Sequence, residues 1–190
     1  MKIKINHIRL TFVAYFIFLF LLLSTNNFSI GDLNTFFFFY FIQLVILLEA
    51  VSFIFKRLNL AVDIKAGYLI LFVYTIINSL TLAFWPQLRN LIFNRFGHLI
   101  SGVIYAIVGV EIVKASLIKT KSKLAKSLYL LFIFSLASTA GVFNEIIELG
   151  LDVFTGSHRI GVGFDTAIDL LMNTLGILVV LVSKRSSIRS

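Results

Sequence analysis

The sequence predicts an all-α fold, a polytopic membrane bundle of about six transmembrane helices forming one integral domain. Three observations predict it. The 190 residues are 59% hydrophobic and 14% charged, with a mean hydropathy of +0.99, which excludes an ordinary water-soluble domain. Six apolar runs are each long enough to cross a hydrocarbon core, which takes about 20 helical residues. The single proline and the 21 phenylalanines sit among long apolar runs, whereas a membrane barrel would show short alternating segments.

The spans are expected near 8–25, 35–55, 66–86, 98–117, 127–150 and 164–183. The first follows Lys2, Lys4 and Arg9 in the manner of a signal peptide, but Ser24-Thr25-Asn26-Asn27 offers no small-x-small cleavage pattern, so it reads as a retained span. The polar cluster from Asn26 to Asp32 makes the first turn, with Asp32 or Asn34 able to cap the second span. Lys56, Arg57, Asn59, Asp63 and Lys65 form the next loop, and Trp85-Pro86 ends the third span at a membrane interface. Gln87 to Gly97 reads as a short interfacial piece. The lysines from 114 to 126 make a dense basic loop, able to attract anionic lipid heads, and Thr155 to Gly163 links the last two spans.

A net charge of +8 would suggest nucleic acid in a soluble chain, but here the cations lie between apolar runs. Sorting Lys and Arg by alternate loops puts 14 on one side and three (Arg89, Arg95, Arg159) on the other. The positive-inside rule then places both termini in the cytoplasm of a cell-membrane protein whose partners are lipids. Cysteine is absent, which removes disulfides and thiolate metal sites.

Five of the nine carboxylates fall between Asn144 and Gly176. Glu145, Glu148 and Asp152 are spaced to stack along one helical face, and so are Asp165, Asp169 and Asn173. Glu145 lies about 28 Å along its helix from Lys126, and Asp165 a similar distance from Lys184, so both reach one layer near the outer leaflet. His98 and Arg95 open the fourth span on that side, and Arg159 sits in the adjoining loop.

Carboxylates inside a bilayer cost several kcal/mol unless they meet partners, so the two acidic faces are expected to turn toward each other and His98. The set could bind a divalent cation through Glu145, Glu148, Asp169 and His98, because hard ions take carboxylate oxygens and an added imidazole suits zinc or iron. It could instead be helix glue neutralised by Arg95 and Arg159. If Asp169 is functional rather than structural, Asp169→Asn should keep or improve stability. Glu111 pairs simply with Lys114 one turn on, while Glu49 could meet a snorkelling cation or Asn78. Gly97, Gly102 and Gly109 permit close helix packing. No acyl-enzyme serine motif, nucleotide-binding glycine loop or zinc-protease motif occurs.

Phe93-Asn-Arg-Phe-Gly-His98, Gly102, Glu111, Asn144-Glu-Ile-Ile-Glu148 and Phe164-Asp-Thr-Ala-Ile-Asp-Leu-Leu-Met-Asn-Thr-Leu-Gly176 resemble the YjdF-type inner-membrane proteins. The second half of the chain is also similar to the VanZ-like family associated with teicoplanin resistance. Asn144 departs from the aromatic residue usual in relatives, and the linking loop lacks their glutamine-glycine element. The resemblance marks His98, Glu145, Glu148, Asp165 and Asp169 and, from the VanZ side, Arg159 and Asn173. The expected function is action on, or binding of, a lipid or lipid-linked envelope precursor. Glu145, Glu148, Asp165 and Asp169 would be the catalytic or ligating acids, and His98, Arg95, Arg159 and Asn173 the substrate contacts. The alternative is a small transporter coupled to cations or protons.

Overall fold

A computed structural model describes residues 4–24, 33–84, 94–156 and 164–185. Among these residues the chain forms six helices and no strand: α1 (Ile5–Ser24), α2 (Leu33–Arg57), α3 (Lys65–Phe84), α4 (Phe96–Thr120), α5 (Lys126–Thr155) and α6 (Asp165–Arg185). The expected caps and interface residues at Asp32, Trp85 and Pro86, and the site candidate Arg159, lie outside the described residues.

Local chemistry sets the helix ends. Past α2, Asn59 adopts a left-handed backbone (φ 54°), and Leu60 N–H closes on the Phe55 carbonyl at 2.8 Å. Asp63 Oδ1 accepts the Lys65 N–H at 3.0 Å and so starts α3. Lys121 and Gly156 end α4 and α5 in the same left-handed conformation, the latter donating to the Asp152 carbonyl at 2.8 Å. Asp165 places a carboxylate in the first turn of α6, where the helix dipole favours it.

By length and composition, α4, α5 and α6 can each cross a membrane, while α1 and α3 contain the shorter apolar stretches Ile5–Leu21 and Lys65–Thr81. Along α5, Val142, Phe143, Ile146, Ile147, Val153 and Phe154 are exposed, as befits side chains that face lipid. The result is a helical membrane bundle.

The centre is α4, which packs against α3, α5 and α6. Its contact with α6 brings backbone to backbone. A Cβ on Gly102 would overlap the Asn173 carbonyl, and one on Gly176 would overlap the Leu99 carbonyl. Only glycine permits this approach at either position. Gly109 lies against Ile133 of α5 with room for a Cβ, so of the two it is Gly102 whose expected role in close packing the structure shows. The first three helices pack instead through aromatic rings, including Phe16 on Phe41, Tyr15 on Phe72 and Phe41 on Tyr74, with centroids 5.6 to 6.1 Å apart.

Candidate functional site

The α4–α6 crossing fixes what lies one turn above it. Asn173 and Asp169 are successive turns on one face of α6, and both are 2% exposed against α4. His98 lies one turn from Gly102, so the glycine contact that seats Asn173 also sets the imidazole beside it. Asn173 Nδ2 is 3.4 Å from His98 Nδ1. From the other side, α5 delivers Asn144 and Glu145, both buried.

At this layer the His98 ring stands between two acids: Nδ1 is 3.4 Å from Glu145 Oε1, and Nε2 is 3.6 Å from Asp169 Oδ2. One potential ligand atom from each of His98, Glu145 and Asp169 falls within 4.8 Å of the others, and all three residues are buried. Arg95, just before α4, spans the two aspartates of α6. Its Nη1 donates to Asp169 Oδ1 at 2.5 Å, and its Nη2 donates to Asp165 Oδ1. Glu145 is different, since neither of its oxygens has a hydrogen-bond donor. A buried carboxylate left in that state is costly.

Glu148 stands one turn beyond, where Asn144 Nδ2 donates to its Oε1 at 2.8 Å, while Asn144 Oδ1 accepts from Gln43 Nε2 of α2 at 2.9 Å. Ser101 and Tyr105 of α4 are buried just below this layer. Four carboxylates (Glu145, Glu148, Asp165, Asp169) thus face one arginine and one histidine. The local balance is negative.

Of the sequence candidates, Arg95, His98, Glu145, Asp165, Asp169 and Asn173 are joined by direct contacts. Glu148 attaches through Asn144 and does not enter the three-residue ligand group. The amide at 144 that departs from the usual aromatic residue is the link to α2. Gln43 stands outside the sequence candidates, although a lone amide inside the apolar run of the second span is a readable signal.

Glu111 meets Lys114 at 3.5 Å, as its spacing implied. For Glu49, the expected cation is the partner and Asn78 is not. Arg9 of α1 binds it in bidentate fashion at 2.7 Å through Nε and Nη2, and the Tyr68 hydroxyl donates to it. Asn78 is fully buried on α3, with neither amide atom hydrogen-bonded. An arginine read as a topological charge thus proves to be a lock between helices.

Fold and site together define a helical membrane protein with a buried centre of carboxylates, histidine and arginine at one end of its last three helices. The chain matches the family of predicted membrane proteins DUF2238 over residues 6–187, and it belongs to that family, which also contains the YjdF-type proteins. No curated protein and no solved structure matches it.

Proposed function

We propose that this protein binds a divalent cation of the Mn²⁺ or Zn²⁺ kind between His98, Glu145 and Asp169. The ion would engage the phosphate of a lipid or lipid-linked envelope precursor at the outer leaflet. The observation that carries the proposal is the pair of unpartnered oxygens of buried Glu145, 3.4 Å from an imidazole nitrogen in a group short of positive charge. The 3.6 Å between His98 Nε2 and Asp169 Oδ2 suits neighbouring ligands around an ion about 2.1 Å from each, and one ligand atom from each of the three residues lies within 4.8 Å of the others. Three protein ligands leave coordination positions open for phosphate oxygen. Arg95 holds Asp165 and Asp169 in place and limits their mutual repulsion. The outward orientation rests on the distribution of Lys and Arg.

A transport path is less well supported. Among the described residues, α4 beyond Tyr105 and α6 beyond Asn173 bury only apolar side chains and glycine, such as Ala106, Val108, Val110, Ile177 and Val180. On α5, Ile133 and Ala137 continue that interior. An ion leaving Glu145 toward the other end between α4, α5 and α6 would meet hydrocarbon apart from the buried Ser138 hydroxyl, and the buried Thr75 and Asn78 and the Arg9-bound Glu49 stand on α3 and α2 instead.

The test is metal analysis of protein purified without chelator. Stoichiometric Mn²⁺ or Zn²⁺ is expected in the parent, and at least about tenfold less in His98→Gln and Glu145→Gln. Removing the ion should also lower the phospholipid phosphate retained per chain in detergent. A metal-free parent, or variants that hold as much metal as the parent, would contradict the proposal.

A further inference from the structure

At the end of the bundle opposite the carboxylate layer, two recesses flank the last turns of α6. One, about 500 Å³, lies between α3, α4 and α6 and is lined by Lys65 and Lys184 together with Asp63 and Glu111. Its two cations face two carboxylates, and Lys65 is paired with Asp63 at 3.5 Å. The other, about 400 Å³, lies between the first turn of α5 and the last turns of α6 and is lined by Lys126, Ser127, Leu130, Leu181, Val182 and Arg185. It has two cations, a hydroxyl and an apolar floor, but no carboxylate. Neither Lys126 nor Arg185 has an ion-pair partner among the described residues.

We infer that the Lys126–Arg185 recess is a binding site for the head group of an anionic phospholipid. The two cations come from different helices and converge on one opening, which matches a phosphate diester better than a solvated charge would. No side chain caps the start of α5, so its first N–H groups add partial positive charge at Lys126 and Ser127. Leu130, Leu181 and Val182 continue from the cations toward the membrane interior, with Val182 70% exposed, and offer a surface for the acyl chains attached to that head. Lipid is the occupant because this recess joins half-buried Lys126 and exposed Arg185 to an apolar floor that opens at exposed Val182, the arrangement in which phospholipid heads meet their chains. The neighbouring recess, built to similar size but already neutralised, is the internal comparison.

The experiment uses the full chain in nanodiscs of phosphatidylcholine mixed with phosphatidylglycerol, and native mass spectrometry reads the lipids retained on release. The parent should retain phosphatidylglycerol in preference to phosphatidylcholine. Lys126→Gln with Arg185→Gln should lower that preference about twentyfold, while Lys65→Gln with Lys184→Gln leaves it within about twofold. No preference in the parent overturns the site. So does an equal loss in both double variants, which would mark diffuse surface charge, or no loss in either. All four substitutions sit at helix ends, and gel filtration confirms that each variant remains folded.

Discussion

The two halves of the bundle each hold an arginine against carboxylate, and they do so to opposite effect. In α1–α3, Arg9 meets one acid, Glu49, with matched bidentate geometry, and Tyr68 supplies one more donor. That group is closed in charge and in hydrogen bonds, and aromatic packing surrounds it. In α4–α6, Arg95 is divided between Asp165 and Asp169, and the adjoining Glu145 has no donor. Glycine contacts bring these helices together backbone to backbone, a precision that aromatic rings do not impose. The difference separates a lock that holds helices from a site whose charge is completed by something it binds.

The sharpest way to break the second half is at its glycines. Gly102→Leu or Gly176→Leu forces α4 and α6 apart and should cost more than about 4 kcal/mol, leaving little folded protein by fluorescence-detected gel filtration. Gly150→Leu, where a Cβ meets no neighbour within 4 Å, should fold normally. If all three fold equally well, the close α4–α6 contact is not what positions the site.

Next in size are the arginines. Arg95→Gln leaves two aspartates facing each other without a cation and should destabilise by about 3 to 5 kcal/mol in detergent melts. Arg9→Gln strands a single acid that still has Tyr68, and should cost less, about 2 kcal/mol. Reversal of that order would mean that the α1–α3 pair is the more heavily stressed of the two. The smallest effect belongs to Tyr68→Phe, about 1 kcal/mol, which tests whether its hydroxyl completes the first group. A loss above about 3 kcal/mol would show that the group is not closed by Arg9 alone.

Much of this contrast could be read from the chain. Apolar runs gave six helices because length and hydropathy decide helix formation in lipid, and the i, i+4 spacing of Asp165, Asp169 and Asn173 put them on one face of α6. His98 was legible through its shared depth with the acids. What could not be read was the division of partners. No spacing rule joins Arg9 to Glu49 across 40 residues, or Gln43 to Asn144 across 101, because those pairings depend on which helices become neighbours. The same limit moves the stability test. Asp169 looked like the acid held at a cost, but Arg95 neutralises it, so Asp169→Asn breaks an ion pair and the informative position becomes Glu145.

The most direct measurement is therefore the same neutralisation made in both halves, with thermal melting of Glu145→Gln and Glu49→Gln followed in chelator and in Mn²⁺. In chelator, Glu145→Gln should melt at or above the parent, because it removes an uncompensated buried charge, while Glu49→Gln falls well below it by breaking a satisfied pair. Added Mn²⁺ should then raise the parent and Glu49→Gln but leave Glu145→Gln unmoved. If Glu145→Gln drops as far as Glu49→Gln in chelator and the parent ignores Mn²⁺, Glu145 is structural glue and the cation site does not exist.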